Sequence, residues 1–256
     1  MSNNQILDLS GRKALVTGGS RGIGAATVKL LAAAGADVVV GYHVRSVEAN
    51  AVVEMARSAG VHAAAVAADV STRDGADALM RATYRELGAL NLFVGNAGIW
   101  PAEDIPLTEM SDEHWHCTMQ QNLDSVFFTA RAAARLMADG GSMVLISSTA
   151  GQRGEAYHAD YAATKGAVIS FAKSLAVELG PRNINVNCVA PGWVDTDMVQ
   201  ATIASAGLEQ VVSGIPIGRI ASPEDVAGPI VFLCSSLARH ITGEVLNVNG
   251  GSVLCG

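Results

Sequence analysis

An open, doubly wound α/β fold, one domain with a parallel sheet of about seven strands flanked by helices, is what this sequence predicts, and three observations carry it. Short apolar runs at 13–17, 37–41, 62–67, 92–95, 143–147, 184–190 and 244–248 alternate with helical patterns, the rhythm of strand, right-handed crossover helix and next parallel strand. A glycine-rich turn, Thr17-Gly18-Gly19-Ser20-Arg21-Gly22-Ile23-Gly24, follows the first run. Half of the 256 residues are hydrophobic, 27 are glycine and only 16% are charged, which suits a sheet covered on both faces.

No Pro/Gly/Ser linker, internal repeat or low-complexity tract divides the chain, so residues 1–256 read as a single domain. A net charge of -7 argues against nucleic acid and anionic membrane as partners. The apolar stretch 30–41 is broken by glycine and by Asp37, short of the roughly 18 residues of a membrane span. Residues 1–13 carry no hydrophobic core of a signal peptide. Cys117, Cys188, Cys234 and Cys255 show no Cys-x-x-Cys or His-rich spacing, so neither disulfides nor a metal site is expected, and a reducing cytoplasm is.

Taken in order, 13–17 is strand, the glycine turn follows, and a helical pattern runs through Ala34. Glycines at Gly18, Gly22 and Gly24 let backbone approach a pyrophosphate, and the N–H groups from Ser20 to Ile23 offer it donors at a helix start. The spacing is Gly-x-x-x-Gly-x-Gly, distinct from Gly-x-Gly-x-x-Gly and from the P-loop. After the second strand, a dinucleotide fold that prefers NAD places a carboxylate against the ribose 2′-OH. Here no carboxylate occurs between Gly41 and Glu48. Arg21 and Arg45 instead suit a 2′-phosphate, which favours NADP(H) over NAD(H).

Residues 46–59 read as helix and 62–67 as strand, with Asp69-Val70 at its carboxyl end. Asp69 is placed either to accept from an adenine amino group or to cap the helix that begins near Ser71 and runs to Leu87. The fourth strand ends in Asn96-Ala97-Gly98, small enough to let a cofactor lie over the sheet edge. One long helix is expected over 111–138, opening Ser111-Asp112-Glu113 as a cap with first-turn acids. Asn122 sits inside it among apolar neighbours and needs either a polar partner or a function. Ser148 closes the fifth strand, where ligands of parallel sheets bind.

Tyr161-Ala162-Ala163-Thr164-Lys165 opens the next long helix. At i and i+4 the two side chains share a face, so the Lys165 ammonium can lower the Tyr161 pKa from about 10 toward neutrality, making a general acid/base. After the sixth strand comes Pro191-Gly192-Trp193-Val194-Asp195-Thr196, then an irregular stretch, 197–218, that reads as a mobile substrate lid; the lid segment as a whole is 194–218. Ser222 caps a last helix that starts at Pro223.

With these pieces in place the chain resembles the short-chain dehydrogenase/reductase family, single-domain Rossmann-type enzymes. The likeness covers roughly residues 9–251. It rests on Thr17-Gly18-x-x-x-Gly22-Ile23-Gly24, Asp69, Asn96-Ala97-Gly98, Asn122, Ser148, Tyr161-x-x-x-Lys165 and Pro191-Gly192 with Thr196, and Val194 beside them is a further cofactor-binding candidate. The resemblance implies hydride transfer between NADP(H) and a ketone or secondary alcohol, of carbonyl or 3-oxoacyl reductase type. An NAD-dependent alcohol, polyol or steroid-like dehydrogenase and a non-catalytic dinucleotide-binding protein are the alternatives. It implies Tyr161 as proton donor or acceptor, Ser148 on the substrate oxygen and Lys165 on the nicotinamide ribose. Asn122 would hold a water that links Lys165 to solvent, and no metal is needed. A homotetramer is implied too, through the long helices.

Two departures stand out. Gly95 occupies the place of an Asn that often precedes Asn-Ala-Gly in the family. Acyl groups carried on a protein call for a basic docking surface, which Asp139 and the net charge of -7 oppose, although Arg131, Lys173 and Arg182 offer a local patch. Trp100, Gln152, Arg153, Glu155, His158 and Trp193 are the candidate substrate walls.

Overall fold

In the computed structural model, which describes residues 7–255, seven strands form one parallel sheet. They are β1 (Lys13–Thr17), β2 (Asp37–Tyr42), β3 (Ala63–Ala67), β4 (Leu90–Gly95), β5 (Met137–Ile146), β6 (Asn185–Pro191) and β7 (Val245–Val248), in the order β3-β2-β1-β4-β5-β6-β7. The order reverses between β1 and β4, and at such a switch point the loops on either side diverge and leave a crevice at the strand ends. The first part of the 1–13 reading, residues 1–6, lies outside the described residues, as does residue 256 of the single-domain reading.

The helices are α1 (Gly22–Ala33), α2 (Ser46–Ser58), α3 (Arg73–Leu87), α4 (Asp112–Met119), α5 (Ser125–Leu136), α6 (Ala150–Arg153), α7 (Ala159–Leu179), α8 (Gln200–Ala206), α9 (Leu208–Ser213) and α10 (Pro223–Leu233). Alternation along each strand sends successive side chains into two cores. Val16, Val38, Val40, Leu92, Val94 and Val144 meet Val28, Leu31 and Ile230 on one face. Leu15, Val39, Phe93, Met143, Leu145 and Val186 meet Leu79, Val126 and Val168 on the other. Phe93, wholly buried, is the largest of these, and its loss to alanine should cost about 3–5 kcal/mol.

Three expectations need correction. The helix expected over 111–138 is α4 and α5 joined by a π-helical turn, Gln120–Asp124, and it stops at Leu136 because Met137 turns extended (φ -60°, ψ 136°). Strand β5 therefore begins at Met137, six residues before the expected 143, with a register shift between Leu90 and Leu92. Gly140 at φ 77° and Gly141, where a Cβ would stand 2.6 Å from the Asn91 carbonyl, permit that irregularity. The stretch 197–218 is not irregular: it folds α8 and α9, whose few turns are too short for a periodic signal to stand out. Among the described residues no helix is long and apolar enough to cross a membrane.

Candidate active site

At the carboxyl ends of the strands the switch point opens a cleft of about 360 Å³. Of the cofactor-binding candidates, Gly18, Ser20, Arg21, Gly22, Ile23, Arg45, Asp69, Val70, Asn96, Ala97, Gly98, Tyr161, Lys165, Pro191, Gly192, Val194 and Thr196 line it, together with Ser148. Gly24 does not. A Cβ there would stand 2.2 Å from the Gly18 carbonyl, so this glycine serves close packing of α1 under the turn rather than ligand contact.

The turn between β1 and α1 is pinned from β4. Thr17 Oγ1 accepts from the N–H groups of Asn96 (3.0 Å) and Ala97 (3.1 Å), while Asn96 Nδ2 donates to the carbonyls of Thr17 (3.0 Å) and Gly18 (3.1 Å). Gly18 and Gly22 hold φ 63° and 52°, conformations that favour glycine. The N-cap of α1, Arg21, makes no side-chain cap, and its first turn holds no acid. The α3, α4 and α10 helices, by contrast, are closed by Thr72, Ser111 and Ser222. The uncapped α1 terminus, with glycine walls beside it, fits the pyrophosphate of a dinucleotide. At the far end, Asp69 Oδ1 accepts from the Ser71 N–H (3.1 Å) and hydroxyl (2.7 Å), and the Ser71 hydroxyl holds its carboxyl below the usual range. The cap of α3 is Thr72, which decides the earlier alternative against Asp69. Arg21 pairs with Asp197 at 3.4 Å and Arg45 with Glu48 at 3.0 Å, both half-exposed at the cleft rim beside His43.

The four residues expected to act together converge. Tyr161 and Lys165 lie one turn apart on α7, with Lys165 Nζ 5.6 Å from the centre of the Tyr161 ring and donating to the Ile146 carbonyl at 3.0 Å. Ser148, whose Oγ accepts from the Ala150 N–H at 3.2 Å, lies near enough to act on the Tyr161 phenol. Asn122 sits in the π-helical turn, wholly buried; its Oδ1 accepts from the Ile99 N–H at 2.8 Å, and its Nδ2 has no partner among the described residues. A Cβ on Gly98 would stand 2.6 Å from Asn122 Oδ1 and 3.6 Å from Lys165 Nζ, so the small residue lets three segments meet.

Burial sets the protonation of this group. It pushes the Tyr161 phenol up to about 12, with the neighbouring Ser148 hydroxyl opposing and the Glu155 charge adding to the rise. It pulls the Lys165 ammonium down to about 8. The expected lowering of the tyrosine by its lysine is therefore not what this pocket produces: desolvation outweighs a cation directed at the Ile146 carbonyl.

The substrate-wall candidates divide. The Trp100 ring meets Tyr161 edge-on at 4.8 Å and His158 at 4.1 Å. Glu155 lies near enough to act on the phenol and pairs with Arg153 at 2.6 Å. Gln152 is drawn away to Asn247 (2.7 Å), and Trp193 lines a separate hollow with Ile215 and Ile217. Met198 and Val199 of the expected lid also reach the cleft wall, whereas sequence reasoning missed Tyr42, His43 and Gln121 there. It also missed the pairing of His114 Nε2 with the buried Asp160 carboxylate at 3.2 Å. Such long-range partners leave no periodic or motif signal. Of the proposed basic patch, Arg182 is spent on Asp139 and on the carbonyls of Ala134 and Met137, and Arg131 lies over the Phe127 ring at 4.6 Å.

Comparison with known proteins finds relatives over nearly the whole chain. The family model described as Enoyl-(Acyl carrier protein) reductase matches residues 18–252. A 3-oxoacyl-(acyl-carrier-protein) reductase of Synechocystis sp. is 41% identical over 96% of this chain and 98% of its own length. One of Aquifex aeolicus is 38% identical over 96% and 98%. The crystal structure of a short chain dehydrogenase from Burkholderia cenocepacia in complex with NADP superposes with a TM-score of 0.89 at 37% identity, covering 95% of this chain and 98% of the other. A short-chain dehydrogenase/reductase from Brucella melitensis superposes at 0.90 with 33% identity, covering 97% and 99%. With the family model spanning residues 18–252 and relatives 33% and 41% identical nearly end to end, this chain belongs to the short-chain dehydrogenase/reductase family of oxidoreductases.

Proposed function

We propose that the protein reduces a ketone with NADPH, that the ketone is a 3-oxoacyl compound, and that Tyr161 donates the proton. The observation that carries this reading is the convergence of Ser148, Tyr161 and Lys165 on the wall of a glycine-walled cleft, with Asn122 buried behind Gly98. When bound, NADPH would supply a hydride to the carbonyl carbon. The hydroxyls of Ser148 and Tyr161 both donate to the carbonyl oxygen, which gains negative charge as the C–H bond forms, and the Tyr161 proton passes to it. A phenol pushed up to about 12 keeps its proton at neutral pH and stands ready as an acid. Lys165 and the Ser148 hydroxyl face the phenolate that the transfer leaves, and Asn122, through its unpartnered Nδ2, holds the water by which Lys165 exchanges protons with solvent.

The α1 terminus would bind the pyrophosphate, Asp69 the adenine and Lys165 the nicotinamide ribose. Arg21 and Arg45 would turn from Asp197 and Glu48 to a 2′-phosphate. Residues 194–218, carrying α8 and α9, form the substrate lid. Relatives named for acyl-carrier-protein substrates support the 3-oxoacyl assignment. The commitment of Arg182 and Arg131 elsewhere favours a small thioester or ester over a carrier-bound chain. The same reading makes the protein a cytoplasmic homotetramer, and exposed Phe127 and Val177 on α5 and α7 support helix-to-helix assembly.

Tyr161→Phe tests the central assignment. Turnover of a 3-oxoester with NADPH should fall by about 10²–10⁴-fold, while NADPH still quenches tryptophan fluorescence at parental concentrations. Parental turnover in that variant would overturn it.

A further inference from the structure

Trp100 stands at a junction that hydride transfer does not require. It follows Ile99, whose N–H is held by Asn122. Its ring packs edge-on against Tyr161 at an interplanar angle of 82°, and its indole Nε1–H donates to Thr202 Oγ1 of α8 at 3.3 Å. On its other side the His158 ring, 4% exposed, pairs through Nε2 with Asp104 Oδ1 at 3.0 Å. The Ile105 N–H donates to the Tyr157 carbonyl at 3.1 Å, so the loops 99–106 and 154–158 close around the tryptophan. Tyr157 keeps φ 63° in this arrangement, a left-handed conformation that a bulky residue holds only when its surroundings impose it.

An edge-to-face ring pair fixes the rotation of both partners. The phenol that faces Ser148 on one side is thus braced by an indole on another, and the same indole is tied to the lid helix. We propose that Trp100 is a positioning residue that couples the seating of α8 to the orientation of Tyr161. This rests on the reading of Tyr161 as proton donor and of 194–218 as lid. With α8 seated, the indole is drawn toward Thr202 and holds the phenol in place. With α8 displaced, both restraints are released together.

The test uses the full-length protein, NADPH and a 3-oxoester. Trp100→Phe keeps an aromatic edge but loses the N–H, and Thr202→Val keeps the shape but loses the hydroxyl. Each should raise KM for the ketone about three- to ten-fold, the range of one hydrogen bond, with kcat within about two-fold and NADPH affinity unchanged. The double variant should be no worse than the more impaired single one, because each single variant already removes the bond the two residues share, and Thr202→Ser should restore the parental KM. Trp100→Ala, which removes the brace itself, should lower kcat by about ten-fold or more. Additive losses in the double variant, a parental KM in Thr202→Val, or a parental kcat in Trp100→Ala would each overturn the coupling. If Tyr161→Phe is inactive while these variants behave as the parent, only the coupling fails. If Tyr161→Phe keeps parental turnover, the proton-donor reading fails and the coupling with it.

Discussion

Lys165 and Tyr161 share one face of α7, yet the lysine points its ammonium at the Ile146 carbonyl, 3.0 Å away, and stands 5.6 Å from the centre of the phenol ring. Both side chains are buried, and burial drives their titrations in opposite directions, the phenol up to about 12 and the ammonium down to about 8. The neutral forms of both groups are thus favoured by the same desolvation. A site arranged in this way holds a protonated acid at neutral pH and keeps a cation beside it that costs free energy to bury.

Asn122 joins this pair to the turn after β4. Replacing it by leucine removes the acceptor of the part-buried Ile99 N–H and the wholly buried amide with it. Asn122→Leu should therefore lose about 1–3 kcal/mol of stability in urea unfolding, and turnover should fall with it. Unchanged stability would mean that Ile99 finds another acceptor and that the π-helical turn is not built around this bond.

Much of this was legible before any coordinate. Strand alternation, the glycine turn and the order of Asn96, Asn122, Ser148 and Tyr161 identify the sheet and the cleft because each is a local pattern with a physical cause. What sequence did not carry is tertiary. The π-helical turn at Gln120–Asp124 keeps the apolar spacing of an ordinary helix nearly intact, so only its hydrogen bonds reveal it. Trp100 reaches Thr202 across 102 residues, and His158 reaches Asp104 across 54. The direction of the Tyr161 shift also escaped, because spacing brings a cation into view without showing how dry the site is.

Gly24 provides a test of close packing. A Cβ there would stand 2.2 Å from the Gly18 carbonyl and 2.7 Å from Asn96 Nδ2. Gly24→Ala must push α1 away from the turn, because the nearer atom is a backbone carbonyl and the other, Asn96 Nδ2, is held by its bonds to the Thr17 and Gly18 carbonyls. The expected result is a loss of about 2 kcal/mol or more and weaker NADPH binding, read by thermal unfolding with and without the nucleotide. A variant with parental melting temperature and nucleotide affinity would show that the turn adapts.

Arg21 and Arg45 bear on cofactor choice. Both are half-exposed and paired with carboxylates, so a phosphate must displace Asp197 and Glu48 from them. Arg45→Ala should lower the preference for NADPH over NADH by about ten-fold, one charge-assisted contact. Glu48→Gln, which frees the guanidinium, should raise it. Ratios of kcat/KM for the two nucleotides decide the matter, and an unchanged ratio in both variants would remove these side chains from cofactor discrimination.

Lys165 carries the last expectation, because its burial makes function and stability oppose each other. In an unfolded chain the lysine titrates at 10.5, and in the folded one at about 8. Between those values the unfolded chain binds the extra proton, so stability rises with pH across that window, and below it the cost of the buried charge is fully present. Lys165→Met keeps the stem and deletes the charge, giving up one hydrogen bond to the Ile146 carbonyl. The two terms, about 3 kcal/mol gained against about 1 kcal/mol lost, leave the variant more stable than the parent by roughly 1–3 kcal/mol at pH 7. That advantage should shrink as pH is raised toward 10, where the parent's lysine is already neutral. Turnover should be lost at every pH. Urea unfolding of both proteins at pH 7 and pH 10 measures the difference, and a variant less stable than the parent at pH 7 would show that the ammonium is better solvated inside this site than its burial implies.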